Sequence, residues 1–414
     1  MKRACVVVLG DLGRSPRMQY HTRSLIRNGF SVDLIGFAES PLVEELQTAK
    51  ALQTHNLAKF PSISVPRLIL APFKGSFFFV VVVFFLLLSA ALWLTITLLV
   101  ALLCVAKPRF VLVQNPPSIP TLAVAWLVCR LRGCKLVVDW HNFGFSILAM
   151  SIRNAMVVAL AKWFERFFGR LADLHFCVSR AMQKELEQGW GIKKVHVLHD
   201  CPPEFFGPAS SAQRKELFSR DPLKSLVSSS VMTPDTLVAV SATSFTKDEK
   251  LEMLLEAVEQ FDRLLEQSDR RALFVVTGKG DGRAAFEKRA SQLRLTHASV
   301  VVTYFDRFSD YALMLGSADL GLSFHASSSG FDLPMKIVDM FGCGLPVCSI
   351  RYACIDELVQ DGQNGLIFDD ASMLAKQLKR LSSSKSDLQA LRRGVKMIKW
   401  DESWKPCLKL LMFE

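Results

Sequence analysis

Several common catalytic signatures are missing from this chain. No Cys-x-x-Cys pair occurs among its ten cysteines, which argues against a paired-thiol zinc site. Cys5, Cys104 and Cys177 lie inside apolar stretches, where thiols behave as small hydrophobes. The expectation is free thiols in a reducing compartment. There is no His-Glu-x-x-His helix, no Gly-x-Ser-x-Gly elbow and no Gly-x4-Gly-Lys-[Ser/Thr] loop. Zinc peptidase, α/β-hydrolase and P-loop chemistry are therefore poor fits. No Asp-x-Asp occurs either, so no adjacent carboxylate pair stands ready to hold a divalent ion on a nucleotide diphosphate. An Asn-x-Ser/Thr acceptor is absent too, which fits a body outside the secretory lumen. Met1-Lys-Arg leads straight into "ACVVVLGD", too short for the core of a cleavable signal.

What is present is length, apolar bulk and positive charge. The 414 residues allow two ordinary domains, and half of them are hydrophobic. Lys and Arg outnumber Asp and Glu by 50 to 39, a formal charge of +11. Such a balance suits an anionic partner: nucleic acid, an acidic membrane surface or phosphorylated small molecules. The basic residues are dispersed, without a stripe or an RNA-binding aromatic segment, so nucleic acid is not expected.

The apolar run "FFFVVVVFFLLLSAALWLTITLLVALLCV", Phe77 to Val105, contains no charge. Hydropathy alone reads it as membrane-spanning. Its flanks are both basic (Lys74; Lys107 and Arg109), which favours both ends on the cytosolic side. The chain before it reads as strand, helix, strand, and "RFVLVQNPP" resumes a strand after it. One crossing would split a single sheet. The expectation is a segment lying in the membrane interface, or a re-entrant hairpin broken near Ser89, with a plain single transmembrane span as the alternative.

Around this run, strands and helices alternate. "ACVVVLG", "SVDLIGF", "FVLVQ", "KLVVDW" and "LHFCVS" read as strands, the most apolar of them buried on both faces. A helix from about Pro16 stops at Asn28-Gly29. Near Asp200 the composition turns Pro- and Ser-rich, and then "TLVAVSATS", "ALFVVTGKG", "SVVVTYF", "ADLGLSFH", "LPVCSI" and "NGLIFDD" restart the pattern. The fold class expected is α/β with two Rossmann-like halves. The first covers residues 1–200, a connector 201–234, and the second 235–398. A C-terminal amphipathic helix over 399–414 is expected to pack back on the first half. Ligands in such sheets bind beyond the strand C-termini, so two halves would place their sites around one cleft.

Candidate residues follow from that rule. "GDLGRSPRMQ" after the first strand offers Gly10 and Gly13 for a tight turn, with Arg14 and Arg17 adding charge for an anion. It is not the Gly-x-Gly-x-x-Gly dinucleotide fingerprint. "QNPP" ends another strand with Asn115. "DWHN" sets Asp139 two residues from His141, a carboxylate–imidazole pair able to take a proton from a hydroxyl. In the second half, "TGKGDG" reads as a structural turn. "FHASSSGFDLPMKIVDMFG" joins His325, the hydroxyl-rich Ser327, Ser328, Ser329 and Gly330, Pro334 at a helix start, and Lys336 and Asp339 three apart on one helical face. A diphosphate suits that helix start and lysine, and ribose hydroxyls suit Asp339.

These stretches, with "LVQNPPSIPTLAVAW", "LAKWFERFFGRLADLHFCVS", "ELVQDGQNGLIF" and "KWDESW", resemble the chitobiosyldiphosphodolichol β-mannosyltransferases from about Val6 to Trp404. The resemblance implies a GT-B fold with GDP-mannose as donor and GlcNAc₂-diphosphodolichol as acceptor. It implies inverting transfer to the acceptor's terminal 4-hydroxyl at the cytosolic face of the endoplasmic reticulum, beside other mannosyltransferases of the pathway. No cofactor and no site-bound metal are implied. Lys336, the 327–330 segment and His325 would then hold the donor, with Asp339 on its ribose. Gly13, Arg14, Arg17 and Asn115 would hold the acceptor, and His141, oriented by Asp139, would accept the proton. Where related GT-B enzymes often carry Glu at the last position of Pro-x-Lys-x-x-Asp, this chain has Asp339. The resemblance also implies a membrane anchor ahead of the first strand; here the apolar run is expected to take that task. Two other readings stay open: a lipid-linked-sugar GT-B enzyme with another nucleotide-sugar donor, and a non-catalytic membrane-bound paralogue.

Overall fold

The computed structural model describes residues 2–60, 77–152, 154–226, 233, 235–246, 249–266, 268–327, 329–396 and 399–413, with the backbone alone for 77–88. The chain divides into two compact units, Met1–Leu198 with Trp404–Glu414, and His199–Ser403.

The first unit is built on a seven-stranded sheet in the order β3-β2-β1-β4-β5-β6-β7, parallel throughout. Its strands are β1 (Lys2–Asp11), β2 (Phe30–Phe37), β3 (Leu52–Asn56), β4 (Phe110–Asn115), β5 (Lys135–Trp140), β6 (Leu174–Cys177) and β7 (Val195–Val197). The central strands are buried almost end to end, as their Val- and Leu-rich runs require. The two edge strands were not legible in the pattern. β3 is the polar LQTHN and β7 is three residues long.

Five helices of this unit matter below: α1 (Pro16–Arg27), α2 (Phe77–Cys104), α3 (Thr121–Arg132), α4 (Gly144–Ser151) and α5 (Ala155–Gly169). α1 begins at Pro16 and ends before Asn28, with Gly29 at φ +81°, the left-handed stop that glycine supplies. α2 corrects one expectation. It runs unbroken through Ser89, so the apolar run is not a hairpin. Nothing in it breaks a helix, since it holds neither Gly nor Pro. Its last turns bury Leu98 and Leu102 against the unit, and Arg132 Nη1 donates to the Leu102 carbonyl at 2.7 Å. Among the described residues no helix is long and apolar enough to cross a membrane.

The second unit carries a six-stranded parallel sheet in the order β10-β9-β8-β11-β12-β13. The strands are β8 (Leu237–Ala242), β9 (Ala272–Thr277), β10 (Ala298–Thr303), β11 (Leu320–Ser323), β12 (Val347–Ile350) and β13 (Gly365–Phe368). Two apolar clusters sandwich it. One joins α6 (Glu252–Leu264) and α8 (Ala371–Ser383) to one face; the other lies under α7 (Met335–Gly342). Pro334 caps α7 from just outside, one residue earlier than its expected place within the first turn. The final helix, α9 (Trp400–Met412), contributes its residues from Trp404 on to the first unit.

The "TGKGDG" turn is structural, and close approach explains its glycines. A Cβ on Gly280 would lie 1.9 Å from the Ser244 carbonyl oxygen. This turn therefore lies flat against the chain leaving β8. Gly280→Ala forces one backbone off the other, and overpacking of this kind costs about 1–3 kcal/mol. A lowered melting temperature of the full chain checks it; an unchanged one contradicts the close packing.

Candidate active site

In the first unit, the site residues meet at the C-terminal ends of β1, β4 and β5. Asp139 ends β5, fully buried. The Arg17 guanidinium forks it, Nε to Oδ2 and Nη2 to Oδ1, both at 2.8 Å. Two imidazoles complete the shell: His21 Nε2 at 3.2 Å and His141 Nε2 at 2.9 Å, both on Oδ2. Burial pushes the Asp139 carboxyl up, but Arg17 and His141 outweigh it and hold it well below the usual carboxylate range. An ionised carboxylate only accepts, so both imidazoles donate from Nε2. His21 Nδ1 in turn accepts from the Trp404 indole N–H at 2.9 Å. Burial lowers the His21 pKa and keeps the ring neutral. His141 is about a quarter exposed, at 23%, and Nδ1 is its other ring nitrogen. Its backbone N–H donates to the Asn115 carbonyl at 2.8 Å, tying the β5 exit to β4.

Arg17 requires a correction. The sequence expectation puts it on an acceptor diphosphate; the structure buries it, with only 4% exposed, on Asp139 and the Leu198 carbonyl. The Gly13 amide donates to Asp11 Oδ1 at 3.2 Å, and Ser40 and Glu39 amides reach the same oxygen. The anion at this turn is thus the chain's own carboxylate. Arg14 lies 3.5 Å from Asp11 and is largely exposed. Asn115 is buried, and its Nδ2 donates to Glu165 Oε1 at 2.7 Å. Glu165 also accepts from the Gly144 and Phe145 amides, yet burial outweighs these bonds and raises its carboxyl.

In the second unit, Lys336 on the first turn of α7 reaches the chain that follows β8. Its ammonium pairs with Glu249 Oε1 and donates to Ser244 Oγ at 3.2 Å. Glu249 is itself buried, and its other oxygen accepts from Thr243 Oγ1 and from the Ser244 amide at 2.8 Å. The backbone of Glu249 bridges to His325. The serine segment folds around Asp332, which accepts from Ser327 Oγ and from Ser329 Oγ at 3.1 Å. The Gly330 amide donates to Ser327 Oγ at 2.8 Å. His325 Nε2 lies 3.9 Å from Asp332. Burial raises the Asp332 carboxyl, but bonds from His325 and Ser327 outweigh it and hold it low. Ser328 lies outside the described residues. Asp339, on the same face of α7 as Lys336, turns to Tyr311, whose hydroxyl donates at 3.4 Å. Burial lifts its carboxyl to about 7.

Sequence reasoning missed Glu249, Asp332, Glu165, His21 and Trp404. Glu249 sits in "TKDEK" and Glu165 in "KWFER", where a carboxylate reads as surface charge. Only the tertiary fold buries them.

Removing Arg17 leaves Asp139 buried and uncompensated, which costs about 3–5 kcal/mol. Arg17→Met should therefore lose much of the chain's stability in denaturant unfolding. A loss under about 1 kcal/mol contradicts the pairing.

Two family models match the chain. "Glycosyl transferase 4-like domain" covers residues 13–200, and "Glycosyl transferases group 1" covers residues 234–384. "UDP-glycosyltransferase TURAN" of Arabidopsis thaliana is 39% identical, over 99% of this chain and 97% of its own. Human chitobiosyldiphosphodolichol beta-mannosyltransferase is 39% identical, over 97% of this chain and 91% of its own. The enzyme of that name from Yarrowia lipolytica is 38% identical, over 97% and 84%. Among solved structures, sucrose-phosphate synthase from Thermosynechococcus elongatus aligns with a TM-score of 0.68 at 14% identity, covering 100% of this chain and 99% of that one. Anabaena Alr3699/HepE in complex with UDP and glucose aligns at 0.65 and 14%, covering all of both chains. These two bear on the fold alone. They agree with a GT-B arrangement of two Rossmann-like sheets. The chain is a glycosyltransferase and belongs to the family of the chitobiosyldiphosphodolichol beta-mannosyltransferases.

Proposed function

We propose that this chain moves mannose from GDP-mannose to a diphosphate-linked chitobiosyl polyprenol with inversion, forming the β-1,4 bond. The single observation that carries the reading is similarity over nearly the full chain to mannosyltransferases of that name. The geometry suits it. The second unit holds the donor: the ammonium of Lys336 and the amides of the 327–330 segment meet the diphosphate, and Asp339 meets the ribose. As the sugar–phosphate bond breaks, charge grows on the leaving GDP, and preorganised positive groups there lower the barrier. Lys336 is already fixed by Glu249 and Ser244, so little reorganisation is needed. In the first unit, His141 Nδ1 accepts the proton of the attacking hydroxyl while Asp139 steadies the imidazolium that results. The acceptor is lipid-linked, so the enzyme works at the endoplasmic reticulum membrane with its two units in the cytosol. Neither cofactor nor resident metal takes part in this proposal.

A second donor stays in play for one reason. The name of the Arabidopsis relative specifies a UDP-sugar donor. The deciding assay offers the full chain GDP-mannose, UDP-GlcNAc and UDP-glucose in turn, with a short-chain chitobiosyl diphospholipid, and weighs the product. A gain of one hexose from GDP-mannose alone, retained in EDTA, supports the reading. Transfer only from a UDP-sugar contradicts it.

Two kinetic outcomes follow. Lys336→Ala should raise the donor KM by roughly tenfold or more, as loss of a charge-assisted contact implies. Unchanged donor kinetics remove the lysine from the diphosphate. Asp339 ionises only as pH rises through about 7, and the carboxylate is the better acceptor for ribose hydroxyls. Donor KM should therefore climb below that pH, by up to about tenfold per unit. Asp339→Asn should flatten the profile, and a wild-type profile already flat contradicts the ribose contact.

A further inference from the structure

α5 is amphipathic the wrong way round for a helix facing water. Asn154 caps it, its side chain accepting from the Met156 and Val157 amides, so the helix starts at a built boundary. The residues it turns inward are Ala161, Glu165 and Gly169. The stripe it turns outward is Met156, Leu160, Trp163 and Phe167, at i, i+4, i+7 and i+11, with Leu171 just past the helix end. Met156 is 79% exposed, Leu160 63% and Trp163 58%. A soluble helix buries its apolar stripe and hydrates the other face. Here the carboxylate is inside and the large apolar groups are outside.

The stripe is not isolated. α2 packs on α3, α3 on α5, and α5 on α4, forming one helical layer. Leu127 and Leu131, a turn apart on α3, and Ile96 and Val100 on α2 are exposed as well. Monomeric soluble proteins rarely expose contiguous apolar patches of more than a few hundred Å². The charge around it is mostly positive, with Asp173 beside Arg130 as a partly exposed exception paired to Lys135. From Thr121 to Leu171 the only acidic residues are Asp139 and Glu165, both fully buried. The basic residues of the same stretch include the exposed Arg130, Lys162 and Arg170. Lys162 lies 5.0 Å over the Phe145 ring, its stem along apolar surface and its charge at the rim. Trp163 and Phe167 stack on the outer side, centroids 5.5 Å apart.

We infer that this outer face of α3 and α5 docks on the surface of an anionic lipid bilayer. α5 lies in the headgroup layer, its stripe toward the acyl chains and Lys162 and Arg130 on lipid phosphates. An aromatic-bearing apolar stripe with basic shoulders, its one nearby acidic group Asp173 paired to Lys135, is the pattern of an interfacial helix. The basic groups flanking the stripe match anionic headgroups, which favours a lipid surface over a protein partner. The inference stands on this surface whichever sugar is transferred.

The test uses the full chain reconstituted in phosphatidylcholine vesicles, with or without phosphatidylserine and with dibrominated acyl chains as quencher. The emission lost in Trp163→Phe isolates that side chain from the other tryptophans. That component should be quenched severalfold more in the anionic vesicles than in neutral ones. Charge reversal at Lys162 and Arg130 should weaken docking by roughly fivefold for each charge neutralised. Trp163→Phe should leave turnover on a short-chain, water-soluble acceptor unchanged. Two results would overturn the inference. In one, the Trp163 component escapes lipid quenching and stays open to aqueous acrylamide in every vesicle. In the other, it is shielded without lipid in proportion to protein concentration, which marks the face as a protein contact. A failed hexose-transfer assay would touch neither outcome.

Discussion

One buried carboxylate organises the first unit. Asp139 has no solvent and receives four hydrogen bonds from three cationic or imidazole side chains. An isolated carboxylate in that place would be untenable, so the shell around it is compulsory. Meeting that demand draws together parts of the chain far apart in sequence. Arg17 and His21 come from α1, His141 from the chain leaving β5, and Trp404 reaches in from α9 to fix the far nitrogen of His21. The same demand fixes the His141 ring with Nε2 turned to the carboxylate. Structure and chemistry share one cause here.

The second unit repeats the device with different partners. Glu249 is buried at the end of β8 and gathers Lys336, Thr243 and the Ser244 amide. Asp332 gathers the serines ahead of α7. Each carboxylate stabilises a loop that sequence would leave loose, and each holds a donor-binding candidate in place before any ligand arrives. Asp339 differs. It lacks a cation, so burial, aided by the charge of Asp200 and only partly opposed by the Tyr311 hydroxyl, sets its protonation near neutrality.

The sheets were largely legible because buried parallel strands are continuous apolar runs, as in "ACVVVLG" and "ALFVVT". Edge strands β3 and β7 were not, since half-exposed or three-residue strands carry no such signal. Asp139 and His141 could be marked as a pair from their spacing. Their partners could not, because His21 is 118 residues from Asp139 and Trp404 is 383 from His21. Arg17 was visible as a functional cation but its target was misread, for a guanidinium beside a glycine turn looks the same whether it serves a ligand or a buried aspartate. The apolar run showed its helix but not its continuity, since Ser89 offered a plausible break and only the backbone shows that it is not one.

The account rests on Asp139 being an ionised acceptor of two imidazole N–H groups. Nitrogen-resolved NMR of the histidine-labelled chain, assigned with His21→Gln and His141→Gln, reads this directly at neutral pH. Each ring should carry a proton on Nε2, and His21 should be neutral. A bare Nε2 on either ring, or a doubly protonated His21, would contradict the arrangement from which the site was built.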